Sequence, residues 1–130
     1  MTLPAKISTL WVVVMLNMIF ADILSLFYPG TVAQLTTGTI EGVTITPMFL
    51  LVAAVFIEIA ILMIFLTHAL APRAARVANL AAVVVTILFV VGGGSLSPHY
   101  VLLASVEVLA LLYIGWLAWG WRPAPDAAFA

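Results

Sequence analysis

PMFLLVAAVFIEIAILMIFL, Pro47 to Leu66, decides the fold. Eighteen of these twenty residues are apolar or small, and one, Glu58, is a carboxylic acid near the middle. A run of about 20 apolar residues is the length that crosses a bilayer as a helix. A carboxylate at that depth costs several kcal/mol on the order of translocon scales, so Glu58 is expected to be neutral, partnered or at work.

Composition places the rest of the chain in the same solvent. The 130 residues are 66% hydrophobic and 7% charged, with a mean hydropathy of +1.33. An ordinary soluble domain carries roughly 25% charge, and a core of this size cannot hide so much apolar surface. The net charge of -1 gives no electrostatic reason to expect nucleic acid. No cysteine is present, which removes disulfides, thiolate nucleophiles and iron–sulfur ligands together.

Four runs are long enough to span, at about 8–28, 47–70, 73–92 and 98–121. Their punctuation is physical: Tyr28, Pro29 and Gly30 end the first, and Thr46 before Pro47 is an N-cap with proline at the first helical position. Ser97 and Pro98 repeat that device before the fourth. Ala71, Pro72 and Arg73 leave room only for a tight antiparallel turn. The expected fold is all-α: one membrane domain, an up-and-down bundle of four transmembrane helices, with a short tail over 122–130. In the connector 31–46, Thr and Ile alternate around Glu41 and Gly42, a pattern that lays either a small β-ribbon over the outer mouth or a plain polar loop.

All four basic residues, Lys6, Arg73, Arg76 and Arg122, fall at one end of such a bundle, which the positive-inside rule makes cytoplasmic. Both termini are therefore expected inside, in a cell membrane of the bacterial inner-membrane type. Trp11, Trp116, Trp119 and Trp121 are expected in the aromatic belt at that interface, with Tyr28 and Tyr100 at the other. Lys6 and the apolar run after it imitate a signal peptide, but Asn17 and Asp22 inside that run favour a retained helix.

The second and fourth runs each open with proline and an aromatic and carry an acid about three turns later, which reads as a doubled helical hairpin or as mere compositional likeness. At 1.5 Å per residue, Glu58 lies about 16 Å from Pro47, Glu107 about 13 Å from Pro98, and Asp22 about 9 Å from the outer end of its helix. With no lysine or arginine in reach, the three acids are expected to form one ligand- or proton-binding site in which Glu58 and Glu107 converge and share protons. Tyr100, Ala104, Glu107, Leu111 and Ile114 share a stripe, so Tyr100 faces the same cavity as Glu107. Ser25 lies one turn from Asp22, while Asn17 is expected to serve another neighbour. On the third run, Arg76, Asn79, Val83 and Thr86 form a polar edge beside Ala74, Ala78 and Ala82, a row small enough for a close helix crossing. Asn17, Asn79, Thr86 and Ser105 read as interhelical hydrogen-bonding groups, and Ser25 and His99 as supporting polar groups near the mouth.

Other chemistries find no residues. His68 and His99 are about a bilayer apart and cannot share a haem or metal, so neither cofactor nor metal is expected. No Ser-His-Asp grouping, phosphate-cradling glycine loop or HExxH occurs. A dimeric multidrug exporter of this size would also use a membrane glutamate, but exporters that insert both ways lack this one-sided basic bias.

LWVVVMLNMIFAD, YPG, FLLVAAVFIEI, RVAN, HYVLLASVEV and WLAWGW together resemble a family of small, uncharacterised bacterial four-helix membrane proteins, across Leu10 to Trp121. In size and layout the chain is also similar to DoxX-like proteins. The first resemblance implies that Asn17, Asp22, Glu58, Asn79 and Glu107 occupy family-type positions, without a reaction attached. The second implies quinone or redox partners, against which the lack of cysteine tells. Three classes of function follow: a transport or binding protein for a cationic or lipophilic small ligand or protons; a redox, lipid- or quinone-linked membrane subunit; and an accessory subunit of a larger complex. The bilayer is the one certain partner, and a homo-oligomer or membrane complex stays open.

The charge bias gives a direct test of topology. Reporters fused after Arg122 and inserted near Arg73 should read cytoplasmic, and one near Gly38 external. A C-terminal reporter found outside would overturn the even number of crossings.

Overall fold

The computed structural model describes residues 1–40 and 42–122. The 123–130 tail and Glu41 of the expected ribbon lie outside the described residues. Four long helices, each long and apolar enough to cross a membrane, carry the architecture: α1 (Leu3–Leu26), α3 (Pro47–Ala69), α4 (Pro72–Gly92) and α5 (Pro98–Trp119). A seven-residue helix α2 (Thr31–Thr37) and a two-stranded ribbon, β1 (Thr39–Ile40) and β2 (Val43–Thr44), connect the first two long helices.

The first two long helices start where a threonine side chain satisfies a free backbone donor. The Thr2 hydroxyl accepts from Ala5 N at 3.3 Å, which starts α1 ahead of the apolar run itself. Thr46 does the same for Phe49 N at 3.1 Å, with Pro47 in the position that needs no donor. Ser97 precedes Pro98 as expected, but its hydroxyl contacts Ser95 Oγ at 3.0 Å and does not cap the helix. The connector takes the ribbon alternative, not the plain polar loop, and adds the short helix α2 before it. Ile40 pairs with Val43 and Thr39 with Thr44, and Gly42, at φ 79°, supplies the left-handed backbone of the turn.

The helices pack as a ring in chain order: α1 touches α3 and α5, and α4 touches α3 and α5, while α3 and α5 lie diagonally and do not meet. Lys6, Arg73, Arg76 and Arg122 thus share one end of the bundle, here the basic end. The core is a set of heptad-like stripes. On α1 it runs Ile7, Trp11, Val14, Met18 and Ala21, and on α4 Ala75, Asn79, Ala82, Thr86 and Val90. The α4 stripe corrects the expected alanine row. Ala74 is exposed and Ala78 half-buried, because the neighbour's face lies one residue further round, where Ala75 and Ala82 permit the close approach.

The basic half is held by a buried polar network. Trp11 Nε1 donates to Asn79 Oδ1 at 2.7 Å, and Asn79 Nδ2 donates to Ala75 O at 2.8 Å and to Thr67 Oγ1 at 3.3 Å. Thr67 in turn bonds Met63 O at 2.6 Å, and Ser8 Oγ donates to Ile64 O at 2.8 Å. Helices α1, α3 and α4 are therefore cross-linked at one depth. Trp11 is fully buried here and not in the aromatic belt, and Trp121 is also buried, leaving Trp116 and Trp119 outward. The indole N–H explains the difference for Trp11, since Asn79 offers it an acceptor inside the bundle. Arg76 packs its guanidinium over the Trp119 ring at 5.3 Å, a cation–π contact at the basic end.

Removing the donor alone tests how much the network contributes. Trp11→Phe keeps most of the ring but leaves Asn79 Oδ1 unpaired in a dry interior, and it should lower stability in detergent by about 1–3 kcal/mol. Val77→Ala, on the exposed face of α4, should change it by less than about 0.5 kcal/mol. Equal unfolding midpoints for the two variants would mean the network is not a stabilising lock.

Candidate functional site: an acidic chamber at the far end

Away from the basic end the packing loosens and polar cavities open. Glu107 is 2% exposed, placed by the α5 stripe that continues through Ala110, Leu111 and Ile114. Its Oε1 is buried and has no hydrogen-bond partner. It lines a cavity of about 100 Å³ together with Asp22 and Met18 of α1, Phe89, Val90 and Gly93 of the α4 end, and Tyr100. At roughly 10–15 Å³ of such volume per water, this chamber has room for several.

A second cavity of about 170 Å³ continues outward and shares Asp22, Gly93 and Tyr100 with the first. Gly93 contributes no side chain to divide them. This vestibule is lined by Ser25, Tyr28, Ser95, Ser97 and His99, with Thr31 of α2 and Ile40 of β1 at its roof. The connector therefore contributes one residue of α2 and one of the ribbon to the vestibule wall. At the rim, Ser25 Oγ contacts His99 Nε2 at 3.0 Å and Ala21 O at 2.7 Å. Serine has one proton, and the shorter contact to a carbonyl uses it, so the longer one is satisfied with His99 Nε2–H as donor. The His99 ring also lies 6.0 Å from the Tyr28 ring.

The chamber's chemistry is one-sided. Tyr100 donates its hydroxyl proton to Val90 O at 3.1 Å, which leaves its oxygen lone pairs as acceptors. Asp22 and Glu107 add carboxyl oxygens, and the other lining side chains are apolar. Every side-chain polar atom facing the chamber is thus an acceptor unless a carboxyl carries a proton. Such a lining is complementary to donors and cations.

The structure brings together Asp22, Tyr100 and Glu107, with Ser25 and His99 above them. It does not bring Glu58. That acid sits on the exposed face of α3, and α3 does not touch α5, so the expected convergence of Glu58 and Glu107 is corrected. The reason is rotational. Glu58 is eleven residues after its opening proline and Glu107 nine after its own, and two residues turn a helix by about 200°, so the acids point to opposite faces. Asn17 is corrected too: its Nδ2 donates to Val13 O at 2.8 Å, one turn back on its own helix. Ser105 likewise returns to Val101 O at 2.6 Å. Thr86 is buried but its hydroxyl has no partner, so it bridges no helices. Asn79 belongs to the network at the basic end, far from the chamber. Among the described residues no group of three metal-ligating side chains forms.

The sequence reading missed Thr67, Met18, Phe89 and Gly93. Thr67 had a signal, lying seven residues after Ala60 and four after Met63 on the one buried stripe of α3. Gly93 falls just past the expected third span, 73–92, where nothing in the sequence marks it as a lining residue.

Fold and site together define a four-helix membrane protein with an acidic chamber near one end. The chain belongs to DUF6326, a family of unknown function, whose model matches residues 4–128. No curated protein and no solved structure matches it.

Infrared difference spectroscopy tests whether the chamber titrates. A carboxyl band that responds to pH should be lost in Glu107→Gln and shifted in Asp22→Asn, because groups in one cavity interact. A Glu107 band indifferent to Asp22→Asn would separate the two acids.

Proposed function

We propose that the protein binds or transports protons or a small cationic ligand through the chamber formed by Asp22, Glu107 and Tyr100. The observation that carries this reading is the buried, unpartnered Oε1 of Glu107 in a cavity whose side chains only accept. A buried polar atom without a partner is costly, and a ligand or water that donates to it relieves that cost. The vestibule supplies a route from the mouth, where His99 and Ser25 stand at its edge. In our reading the basic end faces the cytoplasm of a bacterial inner membrane, so the mouth opens outward; the support is the one-sided placement of Lys6, Arg73, Arg76 and Arg122.

A second reading, in which a DoxX-like subunit acts on a quinone or lipid, would use His99, Tyr28 and Tyr100 at the same mouth. The two readings differ in what Glu107 is for.

Liposomes loaded with a pH-sensitive dye provide the test. Reconstituted protein should speed dissipation of a pH gradient, alone or with methylammonium outside, and Glu107→Gln should return the rate to that of protein-free vesicles. Glu58→Gln, outside the chamber, should leave the rate unchanged. Folded wild-type protein that gives only the protein-free rate under both conditions would overturn the proposal.

A further inference from the structure

Glu58 is the acid that the chamber does not use. It lies eleven residues from either end of α3, so it sits at the midpoint of the span, and its side chain is exposed. No hydrogen bond or ion pair reaches it from the described residues. Lysine and arginine occur only at the basic end, so no cation of the same chain can approach it. A carboxyl at the bilayer midplane facing hydrocarbon is the costliest position the chain offers.

The surroundings of Glu58 are also ordered. Met48, Leu51, Val55, Leu62 and Phe65 are all exposed, and with Glu58 they follow spacings of three, four, three, four and three residues. That is a heptad seam, the pattern by which two helices pack knobs into holes at a small crossing angle. Ala54, beside Glu58 and also exposed, keeps the backbone approachable there. Only 11% of the α3 window is buried within the bundle, against 28–39% for the other three spans, so α3 has the most surface left to cover. An apolar seam alone would face lipid without cost. One polar group at its centre changes that, and single polar residues inside such seams are known to fix register and partner number.

We propose that α3 is the interface of a homodimer, in which Glu58 of each copy hydrogen-bonds Glu58 of the other. The occupant follows from chemistry and symmetry. A carboxyl carrying a proton is both donor and acceptor, so it complements an identical group. An axis along the membrane normal brings identical residues to identical depth, and one orientation of every copy, set by the basic end, allows such an axis. The interface is isologous, so Val55 meets Val55 and Leu62 meets Leu62 across it.

The chain has no cysteine, so disulfide trapping in membranes has no background. Val55→Cys and Leu62→Cys should cross-link to dimers under mild oxidation. Val77→Cys and Leu109→Cys, exposed on α4 and α5, should not. In detergent or bilayer titrations, Glu58→Leu should weaken self-association on the order of tenfold, while Glu58→Gln, whose amide also donates and accepts, should retain it. Because Glu58 is exposed and no hydrogen bond ties it to the described residues of its own chain, neither variant should lower the thermal stability of the monomer. Cross-linking no stronger at positions 55 and 62 than at 77 and 109 would overturn the interface. Self-association unchanged in Glu58→Leu, or lost equally in Glu58→Gln, would overturn the role of the paired carboxyls.

Discussion

The hydrogen bond from Trp11 to Asn79 sets the geometry on which the rest of the molecule depends. Among the described residues it is the one hydrogen bond between side chains of the first and third long helices, at 2.7 Å and with both residues fully buried. Thr67 joins from α3, so the contact fixes three helices in rotation as well as distance. In a bilayer, apolar packing does not distinguish a helix's neighbour from lipid, and polar contacts and small residues decide which faces meet. With α1, α3 and α4 locked near the basic end, the rotation of each helix is set along its whole length. Asp22 and Met18 then fall on the side of α1 that faces the end of α4.

A lock at one end permits looseness at the other. Phe56 and Phe89, whose rings stack at 5.0 Å, line an apolar cleft of about 410 Å³ between α3 and α4. Lipid chains can fill that cleft at little cost. On the inner side of Phe89 the volume is lined instead by carboxyl and phenol oxygens. Phe89 thus lines an apolar space and a polar one. Gly93, past the end of α4, lines both chamber and vestibule, and a Cβ there would come to 3.2 Å from Phe89 O.

Much of this was legible in the sequence, for identifiable reasons. Spans, caps and the antiparallel order follow from length, Thr-Pro pairs and short turns, all of which are local. The Tyr100 and Glu107 stripe was legible because a helix's own periodicity fixes which of its residues share a face. What periodicity cannot give is which of several faces meets a neighbour. Ala74, Ala78 and Ala82 form as good a row as Ala75, Asn79 and Ala82, and only the partner Trp11 selects between them. Trp11 itself was read by the habit of its residue type, when its stripe with Ile7, Val14 and Met18 already marked a core position.

Glu58 and Glu107 carry the lesson furthest, because the two helices look alike when aligned by order of residue types. Order is not angle. A difference of two residues between proline and acid leaves depth changed by about 3 Å but reverses the direction of the side chain. One acid is thereby turned into the bundle, where it shares a cavity with a second carboxyl. The other is turned out onto the exposed face of α3, where the proposed dimer would offer it an identical group at the same depth. Identical groups at similar depth thus face different problems, and a chain without a single cation in its membrane interior has to solve each with donors it can borrow: a ligand or water for Glu107, a second carboxyl for Glu58.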